Sequence, residues 1–311
     1  MPENMINNDS SQAILVQQVQ AVAQELGINQ TQLAKQIGVG ASVLNQWVAE
    51  KYKGSNEKVT AAAKRWLLAQ ERGQEIPAFE PPKFVETPTA TKIMDVLTDA
   101  QTNGELAVIY GGAGVGKTEA IKAYVGQSNN VWHVTMSPAA ASAGNCLDEI
   151  CCSLGIDAGG RAVKAQRALI KFLKDSHGIL IPDEAQHLST SALETLRSIF
   201  DMTGVGMVLV GNDSVYAKLT GGRRAAEFAQ LYSRIGQRLK IVKPTRADVL
   251  AIIEAWHVDD KESKSLLAEI ANKPGGLRGM IKTLRVAAQM TDSIPSTDDL
   301  RAAWEHLAVE A

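Results

Sequence analysis

The stretch that decides the fold is Leu106-Ala-Val-Ile-Tyr110-Gly111-Gly112-Ala113-Gly114-Val115-Gly116-Lys117-Thr118-Glu119. Its first five residues form an apolar run closed by glycine, the pattern of a buried strand. Gly111 to Thr118 fits G-x-x-x-x-G-K-[ST] between a strand and a helical pattern, the context in which that motif cradles phosphates. Glycines let successive backbone N–H groups turn inward around the phosphates, and the N-terminus of the next helix adds positive potential. Lys117 is expected to bridge the β- and γ-phosphates and Thr118 to hold Mg²⁺, with Gly111 to Glu119 as the nucleotide-binding segment. ATP and Mg²⁺ are the expected ligands.

Downstream, Ile179-Leu-Ile-Pro182-Asp183-Glu184 reads as an apolar strand ending in two carboxylates. Beside a phosphate loop, Asp183 is expected to order the Mg²⁺ shell and Glu184 to activate the attacking water. Pro182 departs from the pattern, because a proline removes a ladder donor from a strand. A third run, Leu209-Val210-Gly211-Asn212, brings an amide to the same sheet edge. Asn212 there suits a γ-phosphate sensor, and an asparagine after a strand is equally an ordinary turn residue.

The chain around these motifs divides into four parts. Pro77, Pro81, Pro82 and Pro88 argue against regular helix or central strand over 73–91, which reads as an extended linker. Residues 1–72 before it are helical in pattern, with Asn29 as an N-cap and Gly27 and Gly38 as breaks. Residues 92–243 alternate strand-like runs (106–110, 131–135, 179–181, 207–210 and 239–242) with helical patterns. That alternation predicts an α/β fold, a parallel sheet with helices on both faces. Residues 244–311 read as helices alone, with breaks near Pro274 and Pro295.

At 311 residues and a net charge of −2, bulk charge neither advertises nor excludes nucleic acid, so any such surface has to be a local patch. Cys146, Cys151 and Cys152 lack metal-ligand spacing and read as buried reduced thiols on a helix. The first basic residue is Lys35 and no uncharged apolar run reaches the ~18 residues of a membrane span, so a cytoplasmic compartment and no membrane partner are expected.

Three surfaces are candidates for DNA contact. Ala34, Gly38, Leu44 and Trp47 reproduce the core spacing of a helix-turn-helix, which would turn Ser42, Asn45 and Gln46 outward near Lys51. The same spacing also serves a purely packing or docking unit, and Glu50 sits among these residues. A helix bearing Arg161, Lys164, Arg167, Lys171 and Lys174 without an acid forms a single-sign stripe, against the ordinary reading of a solvated face. Gly221-Gly222-Arg223-Arg224 is a second compact basic segment, suited to a phosphate backbone or to a subunit interface.

Phosphate-loop strand, Asp-Glu strand and Asn-tipped strand, followed by helices, resemble an AAA+ ATPase. That resemblance implies an arginine finger at Arg234, within Leu231-Tyr-Ser-Arg234-Ile, and a lid arginine at Arg278, within Gly275-Gly-Leu-Arg278. For each, a surface salt bridge is the plain alternative. The whole order resembles more closely the B-type target-selection ATPases of Mu-like transposing phages. The matching pieces include Pro81-Pro-Lys-Phe-Val-Glu-Thr87, Asn130-Val-Trp132, Asp183-Glu-Ala-Gln-His-Leu188, Leu219-Thr-Gly-Gly222 and Ser233-Arg-Ile235. This implies DNA-stimulated ATP hydrolysis, largely sequence-independent binding of double-stranded DNA and self-association into an ATP-dependent oligomer or helical filament. It also implies delivery of target DNA to a cognate transposase. A helicase-loader-type ATPase and a helix-turn-helix regulator switched by ATP remain alternatives.

Overall fold

The computed structural model describes residues 6–49, 51–74, 81–157, 159–220, 233–291 and 293–309. The chain divides into two compact units, Met1–Glu80 and Pro81–Ala311.

The first unit is helical: α1 (Ile6–Glu25), α2 (Gln30–Ile37), α3 (Ala41–Val48) and α4 (Asn56–Gln74). Asn29 caps α2 with a full capping box, its Oδ1 accepting the Gln32 N–H at 2.9 Å while Gln32 Oε1 accepts the Asn29 N–H at 2.9 Å. Gly38, at φ 82°, then turns the chain in a conformation that costs glycine little. Ala34, Leu44 and Trp47 are buried together with Val19, Val59 and Trp66, as the helix-turn-helix spacing required. Both indoles have partners: Trp47 donates to Thr60 and Trp66 to Gln36.

The expected linker over 73–91 is too long at both ends. Helix α4 continues to Gln74, and α5 (Pro88–Asn103) begins inside the proline-rich stretch. Pro88 occupies the first turn, where its missing N–H has no helical partner to lose, and Thr87 caps by accepting the Ala90 N–H. Residues 75–80 lie outside the described residues.

In the second unit, β1 (Leu106–Gly111), α6 (Lys117–Gln127), β2 (Val131–Thr135), α7 (Ala143–Ser153), α8 (Ala162–Leu173) and β3 (Ile179–Asp183) come first. They are followed by α9 (Thr190–Thr203), β4 (Gly206–Gly211), α10 (Asp213–Thr220) and β5 (Ile235–Ile241). All pairings are parallel, in the order β2-β3-β4-β1-β5. Alternating strand residues explain the two-sided burial. Leu106, Val108, Leu180, Met207 and Leu209 face one apolar layer with α7, α8 and α9, while Ala107, Ile109, Ile179, Ile181, Val208 and Val210 face another with α5 and α6. Cys146 and Cys151 are buried in α7, and burial pushes the Cys146 thiol up to about 12. Cys152 is exposed, a correction to the expectation that all three thiols are buried, because it falls on the outer face of α7.

Strand β5 starts at Ile235, four residues before the expected apolar run. It is an edge strand with Gly236, Gln237, Arg238 and Lys240 exposed, so hydrophobicity marks only its end. Strand β3 runs through Pro182 to Asp183 without interruption. Ile179 N–H bonds to Asn130 O and Met136 N–H to Asp183 O, so Pro182 turns toward β4. The β3–β4 register holds at Ile179–Gly206 and Leu180–Met207, and the missing donor falls beyond it.

The helices α11 (Arg246–Ala255), α12 (Lys261–Asn272), α13 (Gly276–Thr291) and α14 (Thr297–Val309) close the chain. Two contacts tie them to the sheet domain. Leu277 N–H, in the first turn of α13, donates to Gly114 O at 2.9 Å. Asp248, fully buried, accepts the Thr89 N–H at 2.8 Å, the Thr89 hydroxyl at 2.7 Å, and the Thr245 N–H and hydroxyl at 2.7 Å each. One carboxylate thus closes the capping box of α11 and anchors the start of α5.

Burial would raise the Asp248 carboxyl, but the hydrogen bonds from Thr89 and Thr245 outweigh it and hold it below the usual carboxylate range. Asp248→Asn replaces an acceptor by a donor facing donors, a loss of about 3 kcal/mol. We expect the melting temperature of this unit to fall by roughly 5–10 °C at neutral pH. Because a depressed carboxyl stabilises above the unfolded-state value and loses that contribution as it protonates, the gap should narrow below about pH 4. Equal melting temperatures at neutral pH would refute this role.

Candidate nucleotide site and basic surfaces

The C-terminal ends of β1, β3 and β4 meet at one rim, with Tyr110 opposite Gly211 in the register. Strand order reverses at β1, and open parallel sheets bind ligands outside their carboxyl ends at such a switch point. The glycine-rich loop leaves β1 there and ends at α6, which starts on Lys117.

Space around the loop explains its glycines. A Cβ on Gly111, at φ 134°, would run into Ile241 O of β5, and one on Gly114, at φ 72°, would run into Gly275 O at the start of α13. Lys117 Nζ donates to Gly111 O at 3.1 Å and Gly112 O at 2.7 Å, folding the loop around its cation. Burial lowers the Lys117 ammonium from its ordinary value, and nearby Asp183, Glu184 and Asp213 oppose that shift while Arg278 adds to it. Lys117, both rim carboxylates and Arg278 therefore share one electrostatic neighbourhood.

Thr118 Oγ1 donates to Asp183 Oδ2 at 2.9 Å. Asp183 Oδ1 also accepts the Glu184 N–H at 2.8 Å, and His133 Nε2 lies 3.4 Å from Oδ2. Burial would raise the Asp183 carboxyl, but the hydrogen bonds from His133, Thr118 and the Glu184 N–H outweigh it and keep it low. Glu184 adopts a left-handed φ of 55°, a strain of order 1–3 kcal/mol for a non-glycine residue, directly after the strand. Its carboxylate accepts a hydrogen bond from Gln186 Nε2.

A hydroxyl and an ionised carboxylate in contact supply hard oxygen donors. Among the described residues no group of three or more His, Cys, Asp or Glu could hold a metal. This donor set fits Mg²⁺, which takes one or two protein oxygens and completes its shell with water and substrate phosphate.

Asn212 is exposed at the tip of β4, where its Oδ1 accepts the Ser214 N–H at 2.9 Å and hydroxyl at 2.6 Å, capping α10. Arg278 is exposed in the first turn of α13, on the same turn as the Leu277 contact to Gly114. Arg234 is elsewhere. It precedes Ile235, which pairs with Leu106 at the N-terminal end of β1, and its Nε donates to Asp201 at 3.1 Å. At about 3.3 Å rise per residue, the length of β1 puts roughly 17 Å between Arg234 and its own chain's loop.

The basic stripe survives in three dimensions. Arg161, Lys164, Arg167, Lys171 and Lys174 are exposed along α8 and its ends while Ala165, Leu169 and Leu173 are buried. No carboxylate pairs with these five among the described residues. Ser42, Asn45 and Gln46 are exposed on α3, and Lys51 is exposed after it. Arg223, Arg224 and Glu50 lie outside the described residues. His133 lies outside the motifs quoted from the sequence, and Gln186 falls within the Asp183–Leu188 piece without a role assigned to it there.

Comparison with known proteins agrees with this geometry. Residues 100–219 match the family described as AAA domain, and residues 233–307 match the family described as Mu B transposition protein, C terminal. The chain is 42% identical over 258 residues to the "ATP-dependent target DNA activator B" of Escherichia phage Mu, covering 83% of this chain and 82% of that protein. It is 39% identical over 260 residues to the "Mu-like prophage FluMu DNA transposition protein B" of Haemophilus influenzae, covering 82% and 90%. Among solved structures, a Walker-type ATPase of Pyrococcus abyssi is similar in fold, with a TM-score of 0.51 and 12% identity over 70% of this chain and 71% of that one. The resemblance read from the sequence is borne out: the chain belongs to the Mu transposition protein B family and carries its phosphate loop in an AAA domain.

Proposed function

We propose that this protein hydrolyses ATP, binds double-stranded DNA with little regard to sequence while ATP-bound, and presents that DNA to a cognate transposase. The observation that carries the reading is the single rim holding Lys117, Thr118, Asp183 and Glu184, in a chain 42% identical to an "ATP-dependent target DNA activator B". Lys117 would leave the loop carbonyls for the β- and γ-phosphates, which the turned-in backbone N–H groups surround. Thr118 and Asp183 would hold Mg²⁺. That ion, when bound, neutralises developing charge on the phosphate oxygens. Glu184 would take a proton from the attacking water, and Asn212 and Arg278 would contact the phosphate end of the nucleotide.

Arg234 fits a role across a subunit boundary, since it sits at the opposite end of β1 from its own loop. Hydrolysis would then depend on self-association, into an oligomer or filament along the DNA. The stripe on α8 would supply backbone contacts, with weaker help from Ser42, Asn45, Gln46 and Lys51 on the first unit, and from Arg223 and Arg224.

The direct test is Glu184→Gln. It should bind ATP with unchanged affinity, hydrolyse it at least a hundredfold more slowly, and stay on DNA when transposase is added. Turnover at the unmutated rate would remove Glu184 from the chemistry. For the stripe, neutralising Arg161, Lys164 and Arg167 should weaken binding to unrelated duplexes about equally. Each lost phosphate contact should reduce the slope of log affinity against log salt by ~0.9. An unchanged slope would leave α8 an ordinary solvated face.

A further inference from the structure

Gln186 is half-buried in a short turn, Ala185–His187, immediately after the rim carboxylates. Its side chain has two engaged ends. Nε2 donates to the Glu184 carboxylate, and Oε1 accepts the Asn212 N–H at 3.2 Å. Those partners fix the orientation of the amide. Reversed, it would set an oxygen against a carboxylate and an NH₂ against an N–H.

Three features of the fold make room for this bridge and hold it. The β3–β4 ladder ends at Leu180–Met207, and Pro182 presents no donor toward β4 beyond that point. Gly211, at the end of β4, has no Cβ, and one placed there would collide with Gln186 Oε1. Lys218, from α10, donates to the carbonyls of Gln186 and Leu188 and fixes the turn itself. Glu184 is therefore set by its left-handed backbone, by its own N–H on Asp183, and by the Gln186 amide on one carboxylate oxygen.

We propose that Gln186 is a positioning residue for hydrolysis: it holds one carboxylate oxygen of Glu184 and so turns the other toward the attacking water. The inference rests on the reading of Glu184 as the base. A general base has to meet its proton within hydrogen-bond reach, and a displacement near 1 Å costs about a hundredfold in rate. By joining Glu184 to the Asn212 backbone, the same side chain also ties the base to the tip of β4.

Two variants separate the two ends of the amide. Gln186→Glu keeps the shape and the acceptor for Asn212 but loses the donor to Glu184, and Gln186→Met keeps approximate volume but loses both. In nucleotide-free protein, hydrogen exchange at the Asn212 amide should remain slow in the Glu variant and become fast in the Met variant. Both should lose kcat by about ten- to a hundredfold, with the KM for ATP within about twofold of the unmutated protein. In a Glu184→Gln background neither should lower the residual rate further, as expected of residues acting as one unit. Normal kcat in both variants, beside an inactive Glu184→Gln protein, would overturn the proposal. So would a loss confined to the Met variant, or a KM that rises with the fall in kcat. Full turnover by Glu184→Gln would instead refute the base on which the proposal rests.

Discussion

Backbone crowding around the phosphate loop is the constraint on which the rest of the second unit depends. Gly111 lies against β5 and Gly114 against the first turn of α13, both at positive φ and both without room for a Cβ. The loop is therefore two things in one backbone: the cradle into which Lys117 folds, and the joint at which the edge strand and the C-terminal helices meet the sheet. Interiors this closely packed have few graded intermediate arrangements. The carbonyls that hold Lys117 and the Gly114 carbonyl that receives the Leu277 N–H belong to the same loop.

The rim carboxylates depend on a second constraint, the way β3 ends. Its hydrogen bonds are complete toward β2 and stop early toward β4, so a proline is tolerated where a central strand would ordinarily exclude it. Asp183 stays in the ladder, buried and ionised by its donors, while Glu184 turns out of it. One strand terminus thus presents two acids in different environments, one buried among hydrogen-bond donors and one half-buried beyond the end of the strand.

Much of this is legible in the sequence because it rests on local chemistry. The apolar run before Gly111 has to be a strand, Asn29 has to cap the start of a helix, and Ala34, Leu44 and Trp47 have to be buried together. Features governed by tertiary context are less readable. A proline cluster marks a break in regular structure, yet Pro88 is compatible with a first helical turn, so proline content alone makes the linker too long. An edge strand buries little, so hydrophobicity reveals β5 only at its apolar end. Asp248 looks like any capping acid until Thr89, far away in the chain, donates to it. Gln186 stands in the quoted Asp183–Leu188 piece, but its bonding is not legible there, since it depends on an absent Cβ at Gly211 and on where the β3–β4 ladder stops.

Among the described residues no helix is long and apolar enough to cross a membrane, and the exposed stripe on α8 faces solvent without paired acids. In the proposed reading such a surface would meet phosphates whatever the nucleotide, so gating by ATP would require assembly or lid position to differ between nucleotide states. A ligand shifts a conformational equilibrium only by its differential affinity for the two states. The most direct measurement is the dissociation of the unmutated protein from one duplex of arbitrary sequence, at one fixed salt concentration, in ATP and in ADP. The account predicts a distinctly longer residence in ATP. Equal residence times would contradict it: the site would still be a nucleotide site, but nucleotide would not govern the hold on DNA.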